Sequence, residues 1–261
     1  MFTQHSRNGE ENYNFQGCLM KITTYTNAND IFVEFQDKYK AIVHGAYREF
    51  KNGKIKNPYY PEVYGVGMIG QKYATRVNNT ELKEYKIWHA MLQRCYDKET
   101  KNKHQYYQDV CCCNEWLLFE NFYEWLHAQP NFDKWINGSR WALDKDIILK
   151  HNKEYNPILC SLVPANVNSL FTKHDKARGE YPIGVYYYKR NNTYKAQCNN
   201  PFEGNKRIGL GEYTTPIVAF EKYKEYKEHI IKEVAIGEYS KGNITEQCFN
   251  AMMNYKVEIT D

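Results

Sequence analysis

The chain has 261 residues, of which 42% are hydrophobic, 16% aromatic (24 of them tyrosine) and 25% charged, with a formal net charge of +4. This composition excludes a disordered polymer, and the length admits one large domain or two to three small ones. No apolar run approaches the ~20 residues of a membrane helix, and the polar N-terminus lacks a signal-peptide core, so no membrane partner and a cytoplasmic location are expected.

The charge is unevenly spread. Residues 38–56 carry six Lys or Arg against one Glu, residues 171–210 carry eight against three acids, and residues 81–170 carry 11 against 12. Two basic flanks around a neutral centre suit a protein that grips a phosphate backbone at both sides; ordinary solvated surface gives the same numbers. The eight cysteines contain no CxxC pair. The run Cys111–Cys113 does not make zinc spacing, because strand neighbours point to opposite faces. Cys95, Cys113 and Cys160 sit at spaced positions, but a structural zinc site is not expected.

In chain order, residues 1–17 read as a flexible tail or as an expression remnant, since ENYNFQG is close to a protease-tag sequence. Residues 18–75 alternate with period two, as in MKITTYTN and DIFVEF, and predict a small β-barrel of about five short strands. A polar linker follows, with Thr80 and its trailing acids as a helix start. A helix over 82–96 stripes Ile87, Trp88, Met91, Leu92 and Cys95 along one face as core. Residues 97–105 read as a charged loop, in which His104, like His89 before it, is a surface group. A second helix over 115–128 carries Trp116, Phe119, Tyr123 and Leu126, and a loop over 129–140 leads on.

Residues 141–171, WALDKDIILKHNKEYNPILCSLVPANVNSLF, read as strand, loop, strand and helix, with Pro164 in the helix's first turn. That order brings Asp144 towards Asn168, and a carboxylate with an amide oxygen suits a hard divalent ion such as Mg²⁺ or Mn²⁺. Asp146, His151 and Asn156 are further candidates. Residues 172–179 form a basic hinge with Lys173, His174, Lys176 and Arg178. Over 180–240 the pattern predicts a hairpin turning at Asn191–Asn192, a third strand, and a helix from Thr215 to about Ala235. Residues 243–261 predict a terminal helix, packed through Ile244, Phe249, Met252 and Met253, and a tail.

Three stretches resemble known families. LDKDI, a polar turn, YNPILC and VPANVN are similar to the phage-encoded HNH endonuclease family. So are Trp88, Met91, Arg94, Cys95 and Tyr96, and the series Tyr106, Val110, Cys113, Glu115, Trp116, Phe119, Phe122 and Trp125. This resemblance spans about residues 83–171 and implies a ββα-metal domain over 80–172 with Asp144 and Asn168 as metal ligands. The family's general-base histidine is missing, and Lys145 stands in its place. The run FKNGKIKNPYYPEVYGVGMIG resembles an accessory module of phage homing-endonuclease-like proteins, which implies that Lys51, Lys54 and Lys56 face phosphates. Residues 180–235 resemble the plant ethylene-response-factor DNA-binding domain through Gly184–Val185, Tyr194–Lys195–Ala196, Leu210–Gly211 and residues 214–219. That resemblance implies a sheet in the major groove of double-stranded DNA, read by Tyr186, Tyr188, Arg190, Lys195, Gln197 and Arg207.

The expected fold is therefore α+β: a small N-terminal barrel, a central HNH-like ββα domain with flanking helices, and a C-terminal three-stranded sheet plus helix. Two functions remain open. One is a Mg²⁺-dependent, DNA-nicking HNH endonuclease, in which an imidazole such as that of His151 would suit the base and Lys145, with an ordinary value of ~10.4, would serve more readily as a phosphate-binding cation. The other is a non-cleaving HNH-like factor, a repressor or a phage anti-defence protein, that binds DNA or a host defence protein.

Overall fold

A computed structural model describes residues 7–138, 140–172, 180–259 and 261. The hinge expected at 172–179 lies, apart from Thr172, outside the described residues. The chain is mixed α and β, 37% helix and 25% strand. It divides into two units, Met1–His127 and Ala128–Asp261, with the boundary inside the 80–172 span expected as one domain. No described helix is long and apolar enough to cross a membrane.

The first unit opens on an antiparallel meander of β1 (Glu11–Tyr13), β2 (Leu19–Asn27), β3 (Asp30–Phe35) and β4 (Ile42–Gly45), in that spatial order. The predicted barrel is not formed. Four strands of three to nine residues leave an open sheet with one buried face: Met20, Ile22, Ile31, Val33 and Phe35 alternate inward and close on Ala41, Phe50 and Ile55. Nor is the whole of 1–17 a tail, because Glu11, Asn12 and Tyr13 pair with Lys21, Met20 and Leu19. Then come α1 (Tyr47–Lys51) and the two-residue strands β5 (Arg76–Val77) and β6 (Thr80–Glu81). The left-handed Asn78 and Asn79, φ 49° and 61°, make the tight turn of this hairpin. Thr80 pairs with Val77 and does not start a helix.

Helix α2 (Lys83–Tyr96) follows and buries Trp88, Met91, Leu92 and Cys95 as its stripe predicts. Residues 97–105 hold a further helix, α3 (Lys98–Lys103), because Asp97 Oδ2 accepts the Thr100 N–H at 2.8 Å and its hydroxyl at 2.6 Å, an N-cap. After β7 (Cys111–Cys112), the predicted 115–128 helix is broken. A 3₁₀ turn covers Asn114–Leu117, and α4 runs from Phe119 to His127. The break has a cause: Met68 donates to the Leu117 carbonyl and accepts from Phe119 N–H, taking backbone groups a continuous helix would need.

In the second unit the loop predicted at 129–140 contains α5 (Phe132–Asn137), anchored by buried Trp135. There follow β8 (Trp141–Asp144), β9 (Glu154–Tyr155), β10 (Ser161–Pro164) and α6 (Ala165–Phe171). The two predicted strands and the helix are present, but β9 lies in the span predicted as a turn, and Pro164 pairs with Trp141 as the last residue of β10 and precedes the helix. The rest is β11 (Val185–Tyr188), β12 (Thr193–Asn200), β13 (Lys206–Tyr213), α7 (Pro216–Ser240) and α8 (Glu246–Met253). The three strands form an antiparallel sheet in chain order. Thr215 caps α7, with Pro216 in its first turn, and the helix runs five residues past the predicted Ala235.

One hydrophobic cluster links the hairpin, α6, the sheet, α7 and α8. Ile147, Val163 and Val167 from the hairpin and α6 join Cys198 from the sheet, Phe220, Tyr223, Ile230, Ile231, Val234 and Ala235 from α7, and Ile244, Cys248 and Met252 from around α8. Each buried aliphatic side chain adds roughly 1.5–3 kcal/mol relative to exposure, so the expected 80–172 and 180–240 modules are joined here by shared burial along α7.

Candidate functional site: the hairpin turn and the outer sheet face

Strands β8 and β10 pair so that Asp144 stands opposite Ser161 and Leu143 opposite Leu162. Asp144 ends β8 and is only 8% exposed. Its Oδ1 accepts the N–H of Asp146 at 2.9 Å and of Ile147 at 2.8 Å, an Asx turn that reverses the chain and sends Ile147 into the core. Burial, and then the neighbouring Asp146 carboxylate, push the Asp144 carboxyl up to about 6; the two N–H bonds and the Lys145 charge oppose that. Below it, burial and then the Asp144 charge raise the Cys248 thiol to about 12. Both hydrogen bonds to Asp144 fall on Oδ1, which leaves Oδ2 as the oxygen with lone pairs to offer.

Lys145 is tied within the turn. Its ammonium donates to Asp146 Oδ2 and to the Asn152 carbonyl, both at 3.0 Å, and its side chain is 12% exposed. Asn152 closes the loop from the other side, donating to the Lys145 and Glu154 carbonyls at 2.6 and 2.7 Å. Asn156 makes a second Asx turn, accepting from Ile158 and Leu159 at 3.0 and 2.8 Å. His151 sits on left-handed backbone, φ 65°, with Nε2 3.3 Å from Glu258 Oε2. Among the described residues, His151, Glu258 and Asp261 are the group whose ligand atoms approach one another within 4.8 Å. The Lys150 ammonium already lies in it, 3.1 Å from Glu258 and 2.8 Å from Asp261.

Asn168 is the fourth residue of α6. Val167 is buried against the hairpin's core residues, so Asn168, one residue and ~100° further round the helix, flanks the packed face and is half-buried. Its backbone carbonyl accepts from the Thr172 hydroxyl; its side-chain amide makes no hydrogen bond among the described residues. Asp144 Oδ2 and the Asn168 amide oxygen are oxygen donors without a hydrogen-bond partner among the described residues, and oxygen donors of this kind are the ligand chemistry of Mg²⁺ or Mn²⁺.

The second cluster lies on the sheet. Ala196 and Cys198 are buried, so alternation turns Lys195 and Gln197 outward. Register places Tyr186 and Glu212 beside Lys195, Tyr188 opposite Thr193, Gly209 opposite Gln197 and Arg207 opposite Asn199. Tyr186, Tyr188, Lys195, Gln197 and Arg207 therefore share one face, and Arg190 lies in the turn beyond β11. Sequence reading missed Glu212. It accepts from Lys195 Nζ at 2.8 Å, Asn191 Nδ2 at 2.8 Å and the Thr193 hydroxyl at 3.0 Å. These donors, Lys195 first, hold its carboxyl below the usual range, and Lys195 also stacks 3.6 Å over the Tyr188 ring. A bulge between Ala196 and Gln197 aligns these partners, and its position is not written in residue type.

In the first unit Lys51 is bound to Glu10 at 3.1 Å and Lys56 to Glu62 at 2.7 Å, whereas the exposed Lys54 ammonium has no ion pair among the described residues. Comparison of the chain with protein-family models, curated proteins and solved structures finds no match.

Proposed function

We propose that this chain is a phage-type, DNA-binding protein built on an HNH-like ββα unit, and that it nicks double-stranded DNA in a Mg²⁺- or Mn²⁺-dependent reaction. The observation that carries the reading is the run β8, Asx turn, β10, α6, with Asp144 closing the first strand and Asn168 on the helix. Asp144 and Asn168 would hold the ion, which supplies Lewis-acid stabilisation of the scissile phosphate. Asp144 keeps one oxygen for the turn and one for that task. The outward sheet residues Tyr186, Tyr188, Lys195, Gln197 and Arg207, with Arg190, would contact bases and phosphates, and the lysines of 51–56 would add sequence-independent affinity.

A second reading is favoured by Lys145. An ammonium that donates to Asp146 and to a backbone carbonyl is a cation serving the turn, not a base. His151, the alternative base, faces Glu258. On that reading the chain is a repressor or anti-defence factor that binds DNA or a host defence protein without cutting. Supercoiled plasmid incubated with Mg²⁺ or Mn²⁺ separates the two. Nicking by the wild type that disappears in Asp144→Ala and falls at least tenfold in Asn168→Ala supports the nuclease. Intact plasmid that is nonetheless retarded on a gel supports the binding factor.

A further inference from the structure

The most exposed large apolar side chain among the described residues is Phe15, at 81%, followed on the same edge by Tyr13 at 63%. Tyr13 ends β1 and Phe15 lies in the turn that follows it; both are exposed, while Asn12 is half-buried and Asn14 buried. An exposed phenyl ring on a floppy tail would mean little. This one stands on one of the most tightly bonded turns of the unit.

Asn14 is 5% exposed. Its Oδ1 accepts from Gln16 N–H at 3.0 Å and Cys18 N–H at 2.8 Å, and its Nδ2 donates to the Ile55 carbonyl at 3.0 Å and to Gln16 Oε1 at 2.9 Å. Gln16 Oε1 also accepts the Asn57 N–H at 2.7 Å. Asn12 Nδ2 reaches the Phe50 and Lys51 carbonyls at 2.8 and 3.2 Å, and Phe15 N–H donates to the Gly53 carbonyl at 2.9 Å. The two loops are so close that a Cβ on Gly53, where φ is +65°, would lie 3.0 Å from the Tyr13 carbonyl oxygen. The backbone that carries the two aromatic side chains is thus pre-ordered and bonded to the chain at residues 50–57.

That neighbourhood decides the occupant. Lys54 is exposed and carries no ion pair among the described residues, one residue from the carbonyl that holds Phe15. Lys51 and Lys56 flank it with surface ion pairs, which are worth little and exchange readily. Exposed aromatic rings on a fixed backbone, bonded to the loop that carries an uncommitted ammonium, match a nucleotide, with a base for the ring and a phosphate for the cation. Bases in an intact duplex offer no open face, so the ring calls for one that is unstacked.

We propose that Phe15, with Tyr13 beside it, is a stacking platform for an unpaired base of DNA, and that Lys54 holds the adjacent phosphate. The proposal deepens the DNA-binding reading above and rests on it, adding a substrate class: locally opened or single-stranded DNA.

The test measures anisotropy of the full-length protein with three probes: a perfect duplex, the same duplex with one unpaired 2-aminopurine, and a single strand. Wild type, Phe15→Ala, Phe15→Trp and Lys54→Ala are compared after their thermal unfolding is shown to coincide. Base stacking on an aromatic is worth roughly 1–3 kcal/mol, or about 5- to 150-fold. The expected result is a loss of that size in Phe15→Ala on the bulged duplex and single strand, none on the perfect duplex, and recovery in Phe15→Trp. The 2-aminopurine emission change seen with wild type should vanish in Phe15→Ala. Lys54→Ala should weaken all three and reduce the salt slope by about 1. Equal affinity of wild type and Phe15→Ala for every probe overturns the platform and leaves a protein as its occupant. Wild type that binds single strands through Phe15 but ignores the duplex keeps the platform and overturns the sheet interface. Wild type that binds no probe overturns both.

Discussion

The hairpin turn of 144–156 and the outer face of the β11–β13 sheet both carry polar side chains, yet they use polarity in opposite ways. In the turn, Asp144, Lys145, Asn152 and Asn156 spend their hydrogen bonds on nearby backbone, so polar side chains act as the frame of a loop. On the sheet the backbone satisfies itself through the strand ladder, and the side chains are left to face solvent, held apart by cross-strand contacts such as Lys195 with Glu212 and Tyr188. A polar cluster can thus be scaffolding or display. The contrast also isolates what stays uncommitted, namely Asp144 Oδ2 in the turn and the Asn168 amide on α6.

The largest expected effect breaks the display side at its support. Gly184 has φ +77°, and a Cβ there would lie 2.1 Å from the Tyr223 ring, so the start of β11 lies directly on α7. Gly184→Ala should destabilise the unit by about 3 kcal/mol through overpacking and unfavourable backbone, read as a lowered urea midpoint; an unchanged midpoint would detach the sheet from α7.

The next effect sharpens the scaffold side. Asp144 has a folded value of about 6, above the ~3.9 of an unfolded aspartate. Its favourable contribution is therefore full below about pH 4 and is lost as pH rises through 6. In metal-free protein, Asp144→Asn should gain up to about 3 kcal/mol relative to wild type between pH 4 and pH 7.5. A difference that stays flat across that range would show the carboxyl to be solvated.

Smaller effects probe the display. Arg190→Ala with Lys195→Ala should weaken DNA binding and lower its salt slope by ~1–2; an unchanged slope removes the sheet from the interface. Glu212→Gln frees Lys195 from its ion pair and removes a negative charge, so DNA affinity should rise a few-fold, by less than about 1 kcal/mol. A fall in affinity would mean that Lys195 must be positioned by Glu212.

Much of this arrangement was legible in the sequence. The period-two runs gave the meander's strands, the stripe of Trp88, Met91, Leu92 and Cys95 gave α2, and the run 141–171 gave strand, loop, strand and helix. What was not legible depended on distant partners. The break at Leu118 comes from Met68, and an open meander instead of a barrel follows from strand lengths and pairing. Pro164 serves as the end of β10 because Trp141 lies opposite. For the candidate site, residue types marked Asp144, Lys145 and Asn168 but not how Lys145 is spent, since Asn152 and Asp146 reach it only through the turn. The outward tyrosines and lysine were legible by alternation, whereas Glu212 required a register set by a bulge.

The central claim, that Asp144 and Asn168 form a hard-cation site, is tested most directly by Mn²⁺ titration followed by electron paramagnetic resonance of the free ion. The account predicts one Mn²⁺ bound by wild type, displaced by excess Mg²⁺, lost in Asp144→Asn and weakened at least tenfold in Asn168→Ala, while His151→Ala leaves it unchanged. Binding that survives Asp144→Asn but disappears in His151→Ala would contradict it and move the cation to the Glu258 and Asp261 cluster.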